Sequence, residues 1–118
     1  MLFCKIEITI MNTMNETSRV KLVKLLSGSK YQRLLSKESG TKNIKAGHVI
    51  LQPAESIGTH STGEREEVLV VLKGKGKAAI NKETIDIESD NVLYIPPETQ
   101  HDIKNTGPHI LEYIFIVS

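Results

Sequence analysis

Gly58-Thr59-His60-Ser61-Thr62-Gly63-Glu64-Arg65-Glu66-Glu67 runs into the apolar stretch Val68-Leu69-Val70-Val71-Leu72 and closes on Lys73-Gly74. A short apolar run bounded by glycine and charge reads as a buried strand. The polar residues before it carry an imidazole and a carboxylate to the strand's start. A second segment, Asp90-Asn91-Val92-Leu93-Tyr94-Ile95-Pro96-Pro97-Glu98-Thr99-Gln100-His101, delivers another imidazole beyond another strand. His60, Glu67 and His101, three side chains of metal-binding type, therefore stand at strand ends.

Working outward, period-two alternation prevails over helical periodicity. Ile6, Ile8 and Ile10 alternate with Lys5, Glu7 and Thr9 and predict a half-buried strand, followed by a polar connection over 11–17 in which Met11 and Met14 are alternative starts. Residues 19–26 fit either a short helical turn or a strand, and Ser27-Gly28-Ser29 reads as a turn. Strands are expected over 31–35, 45–52, 67–72, 77–80, 84–87, 92–95, 100–104 and 110–117. Punctuation falls at Gly40, Pro53, Lys73-Gly74-Lys75-Gly76, Asn81-Lys82-Glu83, Pro96-Pro97 and 105–108. Many short strands between Gly and Pro, with no helical stretch longer than a turn or two, predict an all-β sandwich or barrel and exclude an α/β fold.

The chain has 118 residues, 39% hydrophobic and 25% charged, with a net charge of +1. This length suits one domain with a single core, and the charge balance gives no electrostatic footprint for nucleic acid. Lys21, Lys24, Lys30, Arg33 and Lys37 are interleaved with apolar residues and read as a solvated face. Cys4 is the one cysteine, so no internal disulfide or thiolate cluster forms, and a reducing compartment fits. The apolar start Met1-Leu2-Phe3-Cys4 is broken by Lys5 and Glu7, too early for a secretory segment. No run is long enough to span a membrane as a helix. A cytoplasmic protein with no membrane or nucleic-acid partner is expected. Gly74-Lys75-Gly76-Lys77 is too short for a phosphate loop and reads as part of a hairpin, not the start of a helix, and no nucleophile elbow is present.

His60, Thr62, Glu67 and Gly74, with Pro96, His101 and Asn105, resemble the two signature motifs of the cupin superfamily, and the spacings between them fit without gaps. The resemblance covers residues 45 to about 117. Three positions depart from it: Thr62 stands in place of the second histidine of the first motif, and Asp90 and Glu98 stand in place of two glycines. Such residues serve there if the turns relax. The resemblance implies an antiparallel jelly-roll (double-stranded β-helix) barrel, with 1–118 as one domain, an N-terminal arm over about 1–18 and the motif-bearing core over about 45–117. It also implies a divalent metal in the barrel mouth on His60, Glu67 and His101. Two imidazoles and a carboxylate suit Fe, Mn, Ni or Zn and leave positions open for a small-molecule ligand. The activities implied are those of a dioxygenase or an isomerase. The alternative is a metal-free cupin that binds a small ligand or serves as a structural dimer.

Strand alternation sends Glu67 and Glu66 to opposite faces, so only one points inward, and the motif's spacing to Gly74 favours Glu67. Glu64 either swings toward the gap left at Thr62 or stays solvated, and Arg65 is expected to pair with one of these acids. His48 has no determined direction, His109 is expected to be exposed, and Tyr31, Tyr94 and Tyr113 offer either pocket hydroxyls or core packing. Glu112 lies among apolar residues and needs a partner if buried on both faces. Thr62→His is expected to tighten metal binding by restoring an imidazole. Strands 68–72 and 110–117 are apolar on both faces, which predicts a homodimer, with residues 5–10 pairing across it.

Overall fold

The computed structural model describes residues 19–118. Nine strands follow in chain order: β1 (Tyr31–Leu35), β2 (Lys45–Leu51), β3 (His60–Ser61), β4 (Glu67–Lys73), β5 (Lys75–Ile80), β6 (Glu83–Glu88), β7 (Val92–Ile95), β8 (Gln100–Asn105) and β9 (Leu111–Val117). The only helical element among the described residues is a single 3-10 turn, Lys37–Ser39, ended by Gly40 at φ 109°. All pairings are antiparallel, in a five-stranded sheet ordered β1-β2-β9-β4-β7 and a four-stranded sheet ordered β3-β8-β5-β6. The two sheets face each other as a jelly-roll barrel. The expected all-β architecture is the one observed.

Alternation decides what fills the barrel. On β4 the buried positions are Glu67, Leu69 and Val71, and on β9 they are Leu111 and Tyr113. With Val49, Leu51, Ala78, Ile87, Ile95 and Ile103 these apolar side chains form the core. Because β4 starts at Glu67, the same inward parity that buries Leu69 and Val71 carries a carboxylate at one end of the core. The opposite face of the five-stranded sheet is also apolar. Val68 stands opposite Tyr94 and Ile116, and Val70 opposite Val92 and Ile114, with Val92, Tyr94 and Ile116 open to solvent.

Several boundaries differ from the expectation, each for a visible reason. The strands flanking Gly74 lie in different sheets, so Lys73-Gly74-Lys75-Gly76 is a corner and not a hairpin turn. Gly74 has φ 87°, and a Cβ there would stand 2.1 Å from the Ile110 carbonyl oxygen. Asp90 at φ 72° and Glu98 at φ 55° hold the left-handed conformation that glycine takes freely. Their turns are therefore not relaxed. Residues 19–26 form neither helix nor strand, and Val20 and Leu22 are exposed. Gln32 on β1 tethers this segment by accepting from the Leu26 N–H and donating to the Lys24 carbonyl. The expected strand over 5–10 lies outside the described residues. Among the described residues, no helix is long and apolar enough to cross a membrane.

Candidate metal centre

The two-residue strand β3 exists because His60 and Ser61 pair with His101 and Gln100 at the start of β8. His60 and His101 thus face each other directly across a ladder. Their rings meet edge-to-face with centroids 4.1 Å apart. Glu67 comes from the opposing sheet, and one ligand-type atom from each of His60, Glu67 and His101 lies within 4.8 Å of the others. Glu67 and His101 are buried, while His60 stays accessible at the mouth.

Hydrogen bonds fix which nitrogens face the centre. His60 Nδ1 lies 2.9 Å from the Gly58 carbonyl oxygen, and His101 Nδ1 lies 3.1 Å from that of Thr99. A carbonyl only accepts, so each Nδ1 carries the proton and donates it. In the neutral imidazole that leaves Nε2 with a free lone pair, the arrangement that metal-ligating histidines show. His101 Nε2 is fully buried and has no hydrogen-bond partner, although Glu67 Oε1 stands 3.2 Å away. The distance suits an ion pair, but the direction does not make a hydrogen bond. A buried, unpartnered lone pair beside a buried carboxylate is an environment that a cation would complete. The donor set fits a divalent ion.

Burial raises the Glu67 carboxyl above its ordinary range, while His101, His60 and Lys45 act in the opposite direction. Tyr113 is pushed up chiefly by burial and further by the Glu67 and Asp102 carboxylates, so its hydroxyl stays protonated. A cavity of about 370 Å³ opens over the three residues, walled by Tyr31, Phe115 and Tyr113 and flanked by Lys45 and Arg65.

Thr62 is buried and bonded to main chain. Its hydroxyl donates to the Pro96 carbonyl at 2.8 Å and accepts from the Thr99 N–H at 3.0 Å. It therefore clamps the first histidine segment to the loop that delivers the second. Asn105, wholly buried, staples the far loop by donating to the Leu51 and His109 carbonyls and accepting from the Gly107 N–H. Glu66 faces outward, where it accepts from the Tyr94 hydroxyl at 2.8 Å. Glu64 is exposed on its loop. Arg65 has no ion-pair partner among the described residues, contrary to the expected pairing with a neighbouring acid.

His48 is buried on the face of β2 opposite the core residue Val49, with Nε2 2.6 Å from Glu112 Oε2. Each is the partner the other needed. His109 is exposed, as expected. Asp102 went unrecognised in the sequence: it accepts from the Gly58 N–H at 2.9 Å and so holds the carbonyl that orients His60. Its one signal was adjacency to His101.

Known proteins resemble the chain in the same region. The model of the cupin domain matches residues 47–117. The oxalate-binding protein of Thermotoga maritima is 28% identical over 85 residues, which are 71% of this chain and 70% of that protein. The tetracenomycin polyketide synthase protein TcmJ of Streptomyces glaucescens is 27% identical over 92 residues, 77% of this chain and 62% of that protein. Two further curated relatives are matched over only 38% and 47% of their own length. Among solved structures, a predicted oxalate decarboxylase from Thermotoga maritima superposes with TM-score 0.69 at 27% identity, covering 74% of this chain and 76% of the other.

Proposed function

The chain belongs to the cupin family, and on that premise we propose that it binds a small molecule at a divalent-metal site on His60, Glu67 and His101. The observation that carries this reading is the convergence of two imidazoles, each donating Nδ1–H to a backbone carbonyl, with a buried carboxylate. The ion would be Fe, Mn, Ni or Zn, and it would supply Lewis acidity with positions left open to a ligand. The chain's own residues orient those ligands: Gly58 and Thr99 through their carbonyls, Thr62 by clamping the two loops. The oxalate-binding name of a Thermotoga maritima relative supports a small-molecule role.

One observation favours a second reading. Thr62, in the place of a motif histidine, spends its hydroxyl on the Pro96 carbonyl and the Thr99 N–H and offers the centre no ligand, which favours a metal-free cupin that binds its ligand through the cavity alone. Calorimetric titration of Mn(II) into chelator-stripped protein separates the two. Saturable binding that Glu67→Gln abolishes supports the metal site, and no heat supports the metal-free form. We further propose a cytoplasmic homodimer, supported by the open apolar face of Val92, Tyr94 and Ile116.

A further inference from the structure

We infer that the ligand of this site is a carboxylic acid with a flat aromatic body and not a two-carbon diacid. The inference rests on the reading of the barrel mouth as the ligand site. Three features of the cavity carry it.

The first is charge. Lys45 and Glu67 both stand opposite Val117, one on each side of it, and Arg65 lies in the loop two residues before Glu67. Lys45 and Arg65 both line the cavity; the Lys45 charge acts on the Glu67 carboxylate, while the Arg65 side chain has no hydrogen-bond or ion-pair partner among the described residues. With Lys45 set against Glu67, Arg65 is the cation left without a counter-charge at the mouth, and it calls for an anion from outside. An arginine left free is suited to bidentate capture of a carboxylate.

The second is shape. Tyr31 and Phe115 stack with ring centroids 6.2 Å apart and planes 14° from parallel. They meet over Gly47, where a Cβ would stand 2.5 Å from the Phe115 ring and 2.9 Å from that of Tyr31. The missing side chain is what lets the two rings form one wall. Tyr31 remains 44% exposed, so this aromatic surface is open to an incoming molecule. Aromatic faces of this kind favour stacked or edge-on aromatic partners.

The third is size. The cavity holds about 370 Å³. A two-carbon diacid displaces only a few waters, roughly 100 Å³ at ~30 Å³ each, and would leave the aromatic wall untouched. A ring bearing one carboxylate spans from the cations to the wall.

The test is calorimetric titration of 2-naphthoate and of oxalate into Mn(II)-loaded protein, with chelator-stripped protein in parallel. The inference expects naphthoate to bind about ten-fold or more tightly than oxalate, as burying part of one ring face would give. Tyr31→Ala, at a half-exposed position, should lose about ten-fold of the naphthoate affinity while Mn(II) affinity and the melting temperature hold. Arg65→Gln should weaken both acids. Oxalate binding as tightly as naphthoate, or Tyr31→Ala leaving naphthoate unchanged, would overturn the inference. A naphthoate preference that persists in stripped protein upholds it even if Mn(II) fails to bind, an outcome that removes the metal reading alone.

Discussion

Asp102 reaches the candidate metal centre through two backbone atoms: it holds the Gly58 N–H, and the Gly58 carbonyl holds His60 Nδ1. Partners one step removed from a metal typically govern about 10- to 100-fold in affinity. Asp102→Ala should therefore weaken Mn(II) binding by about ten-fold or more without removing a ligand, and calorimetry showing parental affinity would contradict that role. Thr62 contributes differently. Thr62→Val strands the Thr99 N–H in a buried site and should cost ~1–3 kcal/mol of stability in denaturant titration. The expected gain from Thr62→His must offset this same loss, because the hydroxyl now seen to clamp two loops would go with it. Glu67 gives a pH signature. Its folded pKa is raised by burial above the ordinary 4.5, so in stripped protein its contribution to stability is complete below that value and is lost as pH rises through the folded pKa. Above that range, stripped Glu67→Gln should melt higher than the stripped parent, and the two should converge on acidification. Identical melting temperatures across the whole range would mean that the carboxylate bears no burial penalty.

At the scale of elements, the turns before β7 and β8 hold left-handed residues that are not glycine. Asp90 and Glu98 occupy positive φ where L-residues cost ~1–2 kcal/mol, Asp somewhat less because its short side chain tolerates the region. Glycine removes that strain but loses more chain entropy on folding, about 0.5–1 kcal/mol. Glu98→Gly should thus gain a few tenths to about 1 kcal/mol, more than Asp90→Gly, as read by thermal melting; a loss at both would show that the side chains contribute contacts worth more than the strain. Such turns also mark where the sequence was legible. β1 and β7 fall where alternation and Pro punctuation put them, since their ends are set locally. β3 was not legible: nothing in His60-Ser61 alone announces a strand, and it exists only through pairing with His101 and Gln100. The corner at Gly74 was misread as a hairpin because a glycine between strands looks the same whether the chain stays in its sheet or changes sheets. Motif spacing marked His60, Glu67 and His101 as candidates. Lys45, Phe115 and Asp102 carry no spacing signal and come to the mouth only by register.

For the whole molecule, the barrel gathers its charged groups at one end and leaves one face uncovered. The mouth concentrates His60, Glu67, His101 and Lys45, while the outer face of the five-stranded sheet shows Val92, Tyr94 and Ile116 to solvent. A second copy of the chain seated on that face would cover it. Val92→Glu should then convert a dimer to a monomer in light scattering with the melting temperature little changed, whereas a parent already at 13.1 kDa would exclude the dimer. At the other end of the barrel, metal occupancy is read by elemental analysis of protein purified without added ions or chelators, alongside Glu67→Gln treated identically. A site on His60, Glu67 and His101 should give about one first-row divalent ion per chain in the parent and a loss of most of it in the variant. A folded parent that holds no such ion and takes none up on addition of Mn(II), Fe(II), Ni(II) or Zn(II) would contradict it.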